Sequence, residues 1–140
     1  MSYSNTAAPM DRRPSMRKLR FFNANGLQKH KADILPSNNS SYDILGIAEH
    51  WYVEKSWFFS HPSFCVSSIE TERPAVGHTQ GGVAMFVKPG LRNKVEWTWS
   101  NDCICMMRLN GTFYATAYFR PSWNGSRTQN ALNEMPVNPN

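Results

Sequence analysis

From residue 81 to residue 121 the chain repeats one unit: a short run with apolar residues at every second position, then a turn. Gly81-Gly82 opens a run in which Val83, Met85 and Val87 share one side. Pro89-Gly90 turns the chain, and Val95, Trp97 and Trp99 then alternate with Glu96 and Thr98. Ser100-Asn101-Asp102 turns it again before a predicted strand from Cys103 to Leu109. Asn110-Gly111 is a strong hairpin signal, because both central residues of a type I′ turn need positive φ. Phe113, Ala115, Ala117 and Phe119 alternate with Tyr114, Thr116 and Tyr118 until Pro121. Period-two runs joined by tight turns specify an antiparallel meander.

The first half is less regular. Leu19 to Phe22 reads as a strand entering the core, and Gln28 to Leu35 as a short helix stopped by Pro36 and a Ser/Asn run. The apolar run from Tyr42 to Ala48 has the character of a strand covered on both faces. Residues 50–62 carry Trp51, Tyr52, Trp57, Phe58 and Phe59 without a clear period, which predicts an irregular segment over a core edge. Phe64 to Ile69 reads as a strand, and Glu70 to Gln80 as a polar loop holding Arg73 and His78. The expected organisation is a flexible basic arm over 1–16, a domain over 17–122 and a loose polar tail over 123–140.

Charge is unevenly placed. The chain of 140 residues carries +5, but residues 1–31 hold seven bases against Asp11 alone, which is +6, and the remainder carries −1. A basic arm suits a phosphate backbone or another anionic surface; a solvated tail is the other reading. No apolar run approaches the roughly 20 residues of a membrane span, so no membrane partner is expected. Cys103 and Cys105 fall on one face of a strand and read as small core residues, and Cys65 leaves the count odd. A zinc set using them with His61 or His78 lacks ligand spacing. Residues 1–16 have no apolar signal core. The expected setting is therefore intracellular, the nucleus included, and not secretion.

Two amides one residue apart, Asn23 and Asn25, end the first strand, and Glu49 ends the second long apolar run. If those strands are neighbours, the three groups meet at one rim of the sheet. An oxygen-rich rim suits a hard cation such as Mg²⁺, which polarises phosphoryl oxygens and activates water. Asn-x-Asn-Gly is also commonly a plain turn, and a glutamate at a strand end is commonly just solvated.

The ordered set Asn23-Ala24-Asn25-Gly26-Leu27, Tyr42 through Glu49-His50-Trp51, Gly81-Gly82 through Val87, and Tyr118-Phe119-Arg120-Pro121 resembles the endonuclease/exonuclease/phosphatase superfamily. Within it, the likeness is to the endonuclease domains of non-LTR retrotransposons, and it covers roughly residues 17–122. The resemblance implies two sheets packed face to face with helices outside. It implies hydrolysis of phosphoesters with Mg²⁺, or Mn²⁺ in its place, and DNA as partner. It makes Glu49 the metal carboxylate, with Asn25 beside the metal. Asn23 would orient the site around the phosphate, and Tyr118 would hydrogen-bond a phosphate oxygen. His50 and Trp51 take packing or rim roles; Arg73 and His78 would touch the nucleic-acid backbone.

The family's later motifs, Gly-Asp-x-Asn and Asp-His, have no match: the last aspartate is Asp102 and the last histidine His78. General-base help alone is worth roughly 10² to 10⁴ in rate. The fold expected is thus α/β in the α+β sense, an incomplete two-sheet β-sandwich flanked by helices. The function expected is that of an N-terminal fragment of a metal-dependent phosphodiesterase, binding metal weakly and turning over little. An apolar sheet face left bare would invite self-association. The alternative is a non-catalytic nucleic-acid-binding or interaction protein that uses the basic arm.

Overall fold

The computed structural model describes residues 17–51, 57–68 and 81–136. Two stretches without a polar side chain, Ile44–Ala48 (β2) and Val83–Val87 (β4), set the architecture, and every residue of both is buried. A strand with no polar side has no face to show to water, so these two lie at the centre of a sheet. Leu19–Asn23 (β1) and Phe64–Ser67 (β3) flank them, in the order β1-β2-β4-β3. β1 runs parallel to β2, with Asn23 opposite Ala48; the other pairs are antiparallel.

Val95–Ser100 (β5), Ile104–Leu109 (β6) and Thr112–Ala117 (β7) form a second sheet, antiparallel and in sequence order. The β6–β7 turn has Asn110 at φ 50° and Gly111 at φ 80°, as the hairpin dipeptide predicts. The meander expected over residues 81–121 is confined to this sheet, since β4 pairs with β2 and β3 rather than with β5. The result is an α+β, mostly strand fold of two sheets without a closed barrel.

The sheets pack face to face. Val83, Met85 and Val87 of the first meet Cys105, Met107 and Leu109 of the second in one buried cluster. The apolar face expected to stand bare is therefore covered from within the chain. The other face of the first sheet, with Leu45, Ile47, Ala84 and Phe86, lies under Leu27, Leu35 and Phe58. The predicted short helix is a 3₁₀ helix over Lys29–Ile34, and the aromatic segment contributes a 3₁₀ turn over Trp57–Ser60.

The loose tail expected from residue 123 is corrected over Gly125–Asn133, which is an α-helix (α1). The Asn124 side chain caps it, accepting a hydrogen bond from the backbone N–H of Arg127 at 2.9 Å. Ala131 packs into a small cluster with Cys103 and Ile104. Asn101 pins the helix end, donating to the carbonyl of Ala131 at 3.1 Å and to Glu134 Oε1 at 2.7 Å. Among the described residues no helix is long and apolar enough to cross a membrane.

Candidate functional site

Parallel pairing carries the ends of β1 and β2 out of the sheet together. Beyond the Asn23–Ala48 pair, Ala24 N–H donates to Ala48 O at 2.8 Å, Gly26 N–H to Glu49 O at 2.8 Å and Leu27 N–H to His50 O at 3.2 Å. The backbones of residues 24–27 and 48–50 thus lie side by side at the carboxyl ends of two parallel strands. That is the place where open α/β sheets leave a crevice for ligands.

The backbone here is unusual. Asn25 (φ 47°), Glu49 (φ 60°) and Trp51 (φ 69°) are all left-handed without being glycine, and Gly26, Gly81 and Gly82 sit at φ 86–89° beside them. Each non-glycine residue in that region costs about 1–2 kcal/mol, and such conformations persist where surrounding structure over-determines them. Asn23 contributes the local support: its Oδ1 accepts from Asn25 N–H at 2.9 Å, forming an Asx turn. This accounts for the first of the paired amides.

The conformations aim particular groups. The half-buried Glu49 carboxylate accepts through Oε2 from the Trp51 indole Nε1–H at 2.7 Å and from the Gly81 N–H at 3.3 Å. Gly26 is required beneath it, because a Cβ there would collide with the Trp51 ring. The second sheet reaches the same point. Tyr118, just past β7, stands beside Glu49, and its pKa is raised by burial and then by the adjacent carboxylate. Arg120 is close enough to Tyr118 to oppose that shift. Glu49, Trp51, Tyr118 and the 81–82 backbone therefore form one constellation, with Asn23 and Asn25 on the adjoining end of β1.

His50 points the other way, into the core. It is fully buried, and its Nε2 lies 2.9 Å from Ser68 O and 3.0 Å from Ser67 Oγ. A carbonyl only accepts, so Nε2 carries the proton. Burial pushes its pKa down to about 4, which leaves a neutral ring at neutral pH. Gly82 is fitted to it as Gly26 is to Trp51: a Cβ at residue 82 would strike the imidazole.

Arg73 and His78 lie outside the described residues, as does the basic arm of residues 1–16. Among the described residues no three His, Cys, Asp or Glu side chains converge as a metal cage. A Mg²⁺ site does not require one: the ion commonly takes one or two carboxylates and completes its shell with water and substrate phosphate. Glu49, one of whose oxygens is already held by two N–H donors, fits that minimal role. Trp51 is expected from the sequence only to pack or line the rim, and for Arg120 the sequence suggests no role. The three cysteines carry free thiols; burial pushes Cys65 and Cys103 up to about 11 and Cys105 to about 12, so none is a ready thiolate.

Comparison with protein-family models, with curated proteins and with solved structures finds no match.

Proposed function

We propose that the rim formed by Asn23, Asn25, Glu49 and Tyr118 is a phosphoester site of the metal-dependent kind, with a DNA phosphodiester as the substrate class. The observation that carries this reading is the Glu49 carboxylate. It is held by Trp51 and the Gly81 N–H on a left-handed backbone, and Tyr118, just past β7, stands beside it. Strain of this sort clusters at functional sites, and the inference runs from the outlier to the function. Glu49 and Asn25 would hold the ion, and a bound Mg²⁺ would supply a Lewis acid for the phosphoryl oxygen. Trp51 and Gly81 fix the carboxylate so that one oxygen stays committed and the group does not swing. The Tyr118 hydroxyl, kept protonated, has a proton to donate to a phosphate oxygen.

These residues supply this much and little more. Past Tyr118 the only charged side chains are Arg120, Arg127 and Glu134. Catalytic groups that act as a unit fail together when several are missing, so this chain is expected to bind far better than it turns over. The experiment is Mn²⁺ binding followed by electron paramagnetic resonance, with and without a short DNA duplex. Weak binding strengthened by DNA and lost in Glu49→Gln is expected. Equal binding by Glu49→Gln overturns the metal site. Robust Mg²⁺-dependent plasmid nicking that Glu49→Ala abolishes overturns the low turnover.

The excess of +6 in residues 1–31 favours a second reading, a nucleic-acid binder without catalysis. Its DNA affinity would survive Glu49→Ala, fall steeply with salt, and fall again when Arg12, Arg13, Arg17 and Lys18 are neutralised together. Affinity indifferent to salt and to those four bases eliminates it.

A further inference from the structure

β1 is an edge strand, and among the described residues no strand pairs with its outer side. The carbonyl of Lys18 accepts from Ile44 N–H, and Ala24 N–H donates to Ala48 O. In a parallel ladder the bonded residues alternate, so the even-numbered residues face β2. The N–H and C=O groups of Leu19, Phe21 and Asn23 then point outward, a row of unused pairing groups.

Open grooves lie on both sides of this edge. One, of about 580 Å³, runs between the sheets and is lined by Leu19, Phe21, Ile44, Met85, Phe113 and Ala115, among others. Leu19 is 60%, Phe21 55% and Phe113 41% exposed, a large apolar surface for so short a strand. The other groove, of about 520 Å³, lies across the sheet and is lined by Arg20, Phe22, Asp33, Ile34 and Tyr42, among others. Arg20 stacks over the Tyr42 ring at 5.5 Å. By the alternation of side chains, Leu19 and Phe21 serve the first groove, while Lys18, Arg20 and Phe22 face the second.

We propose that β1 is a docking edge for an extended segment of another protein in which apolar and acidic residues alternate. The segment adds a fifth strand to the first sheet. Its apolar side chains enter the groove between the sheets, and its carboxylates meet Lys18 and Arg20 on the other side. Charge decides against a second copy of this chain. Arg20 on the strand and Arg17 and Lys18 just before it have no acid among them, and antiparallel pairing of two such edges sets like charges against each other. Asp33 lines the far wall of the second groove, and Asp43, which accepts from the Lys18 N–H at 2.9 Å and pairs with Lys88, is the acid beside Lys18 among the described residues.

The probe is a labelled eight-residue peptide of alternating valine and glutamate, followed by fluorescence anisotropy against the full chain. A control peptide of alternating valine and lysine is expected to bind at least about tenfold more weakly than the glutamate peptide, a difference of about 1.4 kcal/mol. Phe21→Pro removes an outward N–H and no bond to β2, so it is expected to abolish binding while the far-UV circular dichroism is unchanged. Arg20→Glu is expected to weaken the glutamate peptide and strengthen the lysine one. If Phe21→Pro unfolds the chain, a glutamate peptide N-methylated at alternate residues asks the same question of the unaltered protein, and undiminished binding overturns the proposal. It is equally overturned by no binding at about 1 mM, by indifference to peptide charge, or by a dimer in sedimentation that excludes the peptide.

Discussion

Phe58→Ala is expected to lose about 3–5 kcal/mol of folding stability, the range for deleting a buried phenyl ring. Phe58 is fully buried in the cluster that closes the outer face of the first sheet. Its ring centroid lies 4.4 Å from Phe59, 5.8 Å from Phe64, 5.9 Å from Phe86 and 5.2 Å from His50. These tilted or edge-on ring neighbours add pair energies to the area buried, and each is held by its own strand or turn rather than free to fill the void. A domain holds only about 5–15 kcal/mol in all, so the variant stands near its threshold. Urea unfolding followed by tryptophan fluorescence measures the loss. Phe58→Leu, which keeps most of the volume, is expected to lose less than half as much. A loss below about 1 kcal/mol for Phe58→Ala, typical of surface changes, would mean that the 57–60 turn does not seal the core.

The importance of Phe58 was legible only as composition. Residues 50–62 show aromatic density without period, so a sequence predicts that something lies over a core edge but not which ring goes in. The central strands were readable for the opposite reason: burial on both faces leaves no alternative to an unbroken apolar run, and 44–48 and 83–87 are such runs. The β6–β7 hairpin was readable because Asn-Gly meets a local demand for positive φ. Helix α1 was not. It buries only Ala131, so it has no apolar stripe to show, and its first residue after the Asn124 cap is a glycine. The rim was half legible. Asn23, Asn25 and Glu49 are recognisable as candidates, but their adjacency follows from parallel pairing of β1 and β2. No local pattern states which strand a crossover will rejoin. The grip of Trp51 on Glu49 depends on left-handed backbone at two residues that are not glycine. Residue type argues against that conformation at both places, so it is visible only in three dimensions.

Acid is expected to destabilise the protein well above the range in which carboxylates titrate, and His50 is the reason. Burial lowers its pKa to about 4 in the folded chain, against 6.5 when it is free. Its bond to the Ser68 carbonyl and the nearby Glu49 carboxylate work in the opposite direction without prevailing. Below pH 6.5 the unfolded chain takes up a proton that the folded chain refuses. Stability is therefore fully present above about pH 6.5 and falls as pH drops towards 4, by about 3 kcal/mol over the window. His61, whose pKa burial also lowers, adds a smaller loss of the same sign. Carboxylates such as Asp43, whose pKa is lowered by the Lys18 N–H and then by Lys88, contribute only further down. Urea unfolding at pH 7, 6, 5 and 4.5 measures the slope. His50→Gln, less stable at pH 7 because it gives up the ring's fit against Phe58 and Gly82, is expected to flatten the profile across that window, while His61→Gln leaves most of it. A slope unchanged in His50→Gln would place the titrating group elsewhere.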